Sequence, residues 1–158
     1  MNDKNMAGMH PIYWITGQSG AGKTTLARAL QSKIGGIILD GDEMRESISL
    51  GVSFSKEDRN EHNMRVARLA GVLSRQMIVI VAVIAPFQST REQASLLVSP
   101  IWIHIAKHLP AHQDKPYEVP AEPHIALNSD RQSVDEEVRS VIAYIQEHDT
   151  DGSGIVFP

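Results

Sequence analysis

The segment Gly17-Gln18-Ser19-Gly20-Ala21-Gly22-Lys23-Thr24 fits the spacing G-x-x-x-x-G-K-[ST], in which a glycine-rich turn aims successive backbone N–H groups at a polyphosphate. Glycine at 17, 20 and 22 permits a turn that a Cβ would obstruct. In such a loop Lys23 reaches the β- and γ-phosphates and the Thr24 hydroxyl reaches Mg2+, with Gln18, Ser19, Ala21 and Thr25 completing the cradle. The flanks agree with this reading. Pro11-Ile12-Tyr13-Trp14-Ile15-Thr16 is a short apolar, β-favouring run, and the residues after Lys23 place Leu26, Leu30 and Ile34 on one helical stripe. Strand, loop and helix in this order put a helix N-terminus, with its partial positive charge, at the anion site.

Apolar runs alternate with helical patterns along the rest of the chain, which predicts an α/β fold built of βαβ units around a parallel sheet. Five strands are expected at 11–16, 36–39, 77–84, 101–106 and 124–127. Helices are expected at 24–33, 42–47, 56–76, 90–98 and 134–147. The third strand is almost continuous in Ile and Val, as a strand covered by helices on both faces requires. Ser55 with Asp58, Ser89 with Glu92 and Ser133 with Glu136 read as capping boxes, while Gly35-Gly36 and Pro100 end elements. Residues 107–123, rich in His and Pro, and a tail at 149–158 read as irregular, the tail as frayed.

At 158 residues the chain is expected to form one domain, with its folded core over about 11–147. The absence of cysteine excludes a disulfide framework, thiol catalysis and a Cys-based zinc site, and fits a cytoplasmic location. Met1 to His10 carries Lys4 as its one cation and no apolar core, so it does not read as a signal peptide. The longest apolar run, 77–86, is too short to cross a bilayer, so no membrane partner is expected. A net charge of −4 argues against a nucleic-acid footprint and favours a small phosphorylated ligand.

In open α/β sheets ligands bind beyond the carboxyl ends of the strands, so the residues that follow each strand are the candidates. The second strand delivers Asp40-Gly41-Asp42, two carboxylates that can hold Mg2+ through water or accept a proton from an attacking hydroxyl. Either one could instead cap the next helix. On that helix lies Arg45. On the following one, Arg59, His62 and Asn63 extend the stripe formed by Val66, Leu69, Ala70, Leu73 and Met77, which places them toward the interior end of the crevice. The Arg59 guanidinium has the fork geometry for phosphate or sulfate oxygens, or else pairs with a nearby acid. His62 is either part of the site or a satisfied, partly exposed histidine. Two roles fit Phe54: stacking on a base, or stapling the helix start. Phe87, after the third strand, is expected at the mouth of the crevice. Arg91 reads as an ordinary first-turn charge, and His104, His108, His112 and His124 lack metal-ligand spacing and read mostly as solvated loop residues.

Taken together these pieces resemble the adenylylsulfate (APS) kinase family. The matching segments are 14–25 (WITGQSGAGKTT), Leu39-Asp40-Gly41-Asp42 with Arg45, Phe54-Ser55-Lys56-Glu57-Asp58-Arg59, Pro86-Phe87, and Pro116-Tyr117-Glu118-Val119-Pro120, similar to the family's P-Y-E-x-P. The resemblance runs from about Ile12 to Ile145 and implies a three-layer P-loop kinase fold with five parallel strands flanked by helices. It also implies that MgATP phosphorylates the 3′-hydroxyl of APS. Carried over by position, residues 17–25 would bind the phosphates of ATP. Asp40 and Asp42 would serve Mg2+ and hydroxyl activation, and Arg45, Phe54 and Arg59 would hold APS.

The chain also departs from the family pattern. His62 stands where D-R-x-x-N has asparagine, which falls instead at Asn63; Ala82 and Ala85 replace strand-end serines; Gln88 replaces an arginine. The long basic lid R-D-P-K-G-L-Y-K is missing, and Lys107 to Lys115 runs almost directly into Pro116-Tyr117. A shorter cover predicts a groove more open to water, or one closed by a second copy in a homodimer. Three readings follow: a short-lidded APS kinase, a related kinase for another nucleotide-like hydroxyl compound, or a nucleotide-binding module without turnover.

Overall fold

The alternation of strand and helix is carried by β1 (Ile12–Thr16), α1 (Lys23–Ile34), β2 (Ile37–Asp40), α2 (Gly41–Glu46), α3 (Lys56–Leu73), β3 (Val79–Ala82), α4 (Gln88–Val98), β4 (Ile101–Ala106), β5 (Ile125–Asn128) and α5 (Val134–His148). These elements come from a computed structural model that describes residues 9–110 and 115–148. The expected frayed tail, His112 and most of the N-terminal segment judged not to be a signal peptide lie outside those residues.

All strand pairs are parallel, in the order β2-β3-β1-β4-β5. The central β1 is buried along its whole length, and alternation along it assigns its four apolar residues to two cores. Tyr13 and Ile15 join Leu26 and Leu30 of α1 and Val141 and Ile145 of α5 on one face. Ile12 and Trp14 join Val66 and Ala70 of α3, Ala94 of α4 and Trp102 of β4 on the other. Each fully buried Leu or Ile in these layers contributes on the order of 1.5–3 kcal/mol. Trp14 meets its buried polar requirement by donating Nε1–H to the Val83 carbonyl at 3.0 Å, and its ring lies 4.9 Å from that of Trp102. The sheet is therefore covered by helices on both faces, the three-layer arrangement.

Boundaries shift where local bonds override periodicity. The third strand is short, Val79–Ala82, because Gln76 and Met77 close the end of α3 by donating to the Leu73 carbonyl, and because Val83 to Ala85 leave the ladder to wall the crevice. Met77, expected on the buried stripe, is exposed beyond the helix end, whereas Ala67 joins the core. The Ser55 cap is formed, with Asp58 N–H donating to Ser55 Oγ at 3.1 Å, as is that of Ser133, which accepts from Glu136 N–H at 3.2 Å. The expected box of Ser89 and Glu92 is not used, since α4 begins at Gln88 with Phe87 in the capping position.

Candidate active site

The carboxyl ends of β1, β2 and β3 open onto one crevice, and its floor is the loop between β1 and α1. Gly17 must be glycine: a Cβ there would stand 2.6 Å from the Ile105 carbonyl oxygen. Gly20 and Gly22 hold φ of 87° and 100°, in the left-handed region that side chains avoid. Gly22 caps α1 without a side-chain bond, so the first N–H groups of the helix face the loop. The Lys23 amine is folded into the loop, donating to the Gly17 and Gln18 carbonyls at 2.9 and 2.8 Å. Burial pushes its pKa down to about 8, although Asp40 and Asp42 pull the other way.

Asp40 ends β2 and does two things at once. Its Oδ1 accepts the Thr24 hydroxyl at 2.7 Å and its Oδ2 accepts the Asp42 N–H at 3.2 Å, so it is both partner of the loop threonine and cap of α2. Asp42 borders two adjoining cavities of about 540 and 580 Å3, with Ser19, Phe54, Arg59 and Ile84 common to both. One of these takes in Gly22 to Thr25, Asp40 and Arg45; the other is closed by Leu109, Pro110, Lys115, Pro116 and Tyr117.

Phe54, just before the Ser55 cap, is 66% exposed. It lies between two guanidinium groups, Arg45 at 4.3 Å and Arg59 at 5.3 Å from the ring centre. Arg45 Nη1 is anchored on the Val52 and Ser53 carbonyls at 3.0 Å each, and Arg59 Nε on the Phe54 carbonyl at 2.7 Å. Aromatic face and cations are thus tied together on the cavity wall.

His62 and Asn63 are buried rather than partly exposed, and both border the second cavity. His62 Nδ1 is 2.7 Å from Ser49 Oγ, and burial, followed by the charges of Arg45 and Arg65, pushes its pKa down to about 4. It is therefore neutral at ordinary pH. Asn63 Nδ2 donates to the Arg59 carbonyl at 2.9 Å, while its buried Oδ1 has no partner among the described residues.

Phe87 is not at the crevice mouth. It is buried beneath the Lys56 amine, 5.1 Å from the ring centre, and borders neither cavity. The chain turns at Ala85, whose φ is 47°, so that Pro86 borders the cavity and the next side chain faces away.

Sequence reasoning missed a group behind the far wall. Arg91 is not a surface charge but is 3% exposed, donating to the carbonyls of Ala85 at 2.7 Å and Glu118 at 2.6 Å and to Gln88 Oε1 at 2.9 Å. Tyr117 packs against it, stacks on His104 at 5.9 Å between ring centres, and shares a 3.1 Å hydrogen bond with Thr16 Oγ1, whose hydroxyl also contacts the Ile84 carbonyl. His104 is buried in β4 rather than solvated in a loop, whereas His124 lies exposed just before β5, where its Nδ1 accepts the Trp102 N–H at 2.9 Å. The Pro-Tyr-Glu motif was the signal available for Tyr117; nothing local marked Arg91 or His104.

The cover over the loop is short but held. Leu109 approaches to within 3.9 Å of a Cβ built on Gly20, and the His108 N–H donates to Asp130 Oδ2 at 2.7 Å. Among the described residues, no group of three or more His, Cys, Asp or Glu is placed to hold a metal, and no helix is long and apolar enough to cross a membrane.

Comparison with known proteins agrees with this geometry. The adenylylsulphate kinase family profile matches residues 9–113. The adenylyl-sulfate kinase of Myxococcus xanthus is 32% identical over 78% of this chain and 84% of its own. Among solved structures, an APS kinase of Mycobacterium tuberculosis superposes with a TM-score of 0.75 at 27% identity, covering 87% of this chain and 98% of its own. A second structure of that enzyme, in complex with AMPPNP and APS, superposes with a TM-score of 0.80 at 24% identity over 87% of this chain and 98% of its own, a likeness of fold. With its phosphate loop, its Asp40–Thr24 pair and a family match over most of its length, this chain belongs to the adenylylsulphate kinase family.

Proposed function

We propose that this chain is an ATP-dependent adenylyl-sulfate kinase, moving the γ-phosphoryl group of ATP to the 3′-hydroxyl of APS. The observation that carries this is the pair of cavities meeting at Asp42, one reaching the phosphate loop and the other walled by Phe54, Arg59 and Tyr117. The triphosphate lies on the backbone N–H groups of residues 17–25, and Lys23 leaves the loop carbonyls to neutralise the β- and γ-oxygens. Mg2+ would be held by the Thr24 hydroxyl and, through water, by Asp40. The residues fit: the hydroxyl proton is committed to Asp40, which leaves oxygen lone pairs for a hard cation that keeps most of its water. When bound, the ion would supply charge neutralisation for the phosphate oxygens.

Because Asp40 is occupied by Thr24 and the Asp42 N–H, Asp42 is the carboxylate left to accept the proton of the attacking hydroxyl. The new P–O bond forms to the ribose oxygen as the bond to the ADP oxygen breaks, and the proton passes to Asp42. Arg45 and Arg59 hold the anionic part of APS, and Phe54 offers a face for its base. His62, neutral, and Asn63, whose Oδ1 has no partner among the described residues, line the adjoining cavity that reaches the phosphate loop. A cytoplasmic location fits a cysteine-free chain whose substrate is ATP. Incubation with γ-labelled ATP and APS, with acceptor-free hydrolysis subtracted, tests the reading. Label in a 3′-phosphorylated product is expected; label confined to inorganic phosphate, or moved only to other hydroxyl compounds, refutes it.

A further inference from the structure

Arg91 is a buried charge to which phosphoryl transfer gives no task. It lies on α4, borders neither cavity, and yet its donors reach both walls. Nη1 holds the carbonyl of Ala85, the left-handed residue beside Pro86, and both residues border the cavity that reaches the phosphate loop. Nη2 holds the Glu118 carbonyl, and the guanidinium carbon stands 5.7 Å from the centre of the Tyr117 ring, which borders the other cavity. A backbone bond from Glu118 N–H to the Pro86 carbonyl at 2.7 Å closes the same seam. Tyr117 in turn reaches Thr16, the residue that leads into Gly17. A non-glycine residue at positive φ persists only where its surroundings over-determine it, and the Arg91 bond to its carbonyl does so here.

We infer that Arg91 is a positioning residue for the acceptor: by tying the Ala85 turn to the Tyr117–Glu118 segment it fixes the width of the space that APS enters. This rests on the reading that the acceptor occupies the cavity walled by Tyr117, Phe54 and Arg59. The hydrogen bonds of Arg91 go to Ala85, Gln88 and Glu118, none of them in the phosphate loop, so its effect on ATP is expected to be the smaller one. The planar fork matters, because one ammonium cannot span two carbonyls and a glutamine oxygen in the same way.

The test uses the full chain with Arg91→Met, Arg91→Lys and Tyr117→Phe, measuring KM for APS, KM for ATP and kcat separately. Arg91→Met is expected to raise KM for APS about tenfold or more while KM for ATP and kcat stay within about threefold, the pattern of lost acceptor positioning. Arg91→Lys should recover part of that loss. A merely structural role would lower the melting temperature and shift both KM values together. If Arg91→Met shows no cooperative melt, Tyr117→Phe decides, with KM for APS expected to rise about threefold through loss of the Thr16 bond. An unchanged KM for APS in a folded variant, or an equal rise for ATP, overturns the inference and leaves the activity standing. Wild-type chain without APS-dependent turnover overturns the activity and the inference with it.

Discussion

The floor of the crevice and its far wall hold ligand-facing groups of similar chemistry, yet they are assembled over different distances along the chain. On the floor, Lys23 bonds carbonyls six residues or fewer away, and Thr24 bonds Asp40 across 16 residues, one β-α-β unit. On the far wall, Thr16 meets Tyr117 across 101 residues and Arg91 meets Glu118 across 27. Local assembly makes the floor robust to changes elsewhere. The wall depends on the sheet being complete, because β4 must stand beside β1 before His104 and Tyr117 can pack where they do. This contrast predicts that floor substitutions abolish chemistry in an otherwise intact protein, whereas wall substitutions alter selectivity.

The largest expected effect is on the floor. Lys23→Ala should leave a normal melt while kcat/KM for MgATP falls by roughly 10²–10³-fold, since the charge that meets the developing phosphoryl oxygens is gone. Unchanged turnover would break the comparison outright, because the floor would then not be where the chemistry occurs.

Next come the two carboxylates, which share three residues of sequence but not a role. Asp42→Asn should lower kcat by about a hundredfold with stability preserved, as loss of a general base does. Asp40→Asn should lower both kcat and stability, the latter by about 1 kcal/mol, because it also caps α2. Melts run beside steady-state rates separate the two, and wild-type rates in both variants would remove the catalytic assignment.

A smaller effect follows pH. In the folded protein Lys23 has a pKa of about 8, against 10.5 for the ordinary side chain. Between these values the unfolded chain binds a proton that the folded chain does not, so stability from this group rises as pH increases from about 8 to 10.5. ATP affinity must run the opposite way, because the bound triphosphate requires the ammonium. Affinity should fall by up to about tenfold per unit above pH 8, and binding there should take up a proton. Calorimetry of ATP binding in buffers of different ionisation enthalpy, with Lys23→Met as the control, reads the sign directly. Proton release on binding would contradict it.

The smallest expected effect concerns the cover. In place of the family's long basic segment, Leu109 lies over Gly20 and the His108 N–H is held by Asp130, so among the described residues of this stretch few polar side chains are offered to the base. ATP and GTP should therefore differ in affinity by no more than about tenfold, with measurable acceptor-free hydrolysis. Sedimentation of the same sample establishes whether a second copy shields the groove. Strong adenine selectivity by a monomer would mean that another part of the chain performs the lid's task.

Much of the floor was legible in the sequence. The glycine spacing, Lys23, Thr24 and Asp40-Gly41-Asp42 are contiguous motifs, and their geometry is dictated by backbone turns and a single crossover. The five strands were legible too, most clearly β1 and β3, which are buried along their whole length and are correspondingly apolar. Phe87, expected at the crevice mouth, and Arg91, expected as a first-turn charge, are both buried beyond Ala85, where the positive φ turns the chain inward. Periodicity cannot report such a turn, since Ala carries no signal for it.

By itself, then, the sequence determined the phosphate-loop motif, the order of elements and the lysine that the motif carries, all of which follow from short-range stereochemistry. Only the tertiary structure decided that Asp40 is shared between Thr24 and a helix cap while Asp42 faces two cavities, that His62 is buried and neutral, and that Arg91 joins two walls. Those outcomes depend on which distant segments the sheet brings together and on how much water they exclude. Burial and charge proximity are properties of the packed molecule, and no stretch of the chain carries them alone.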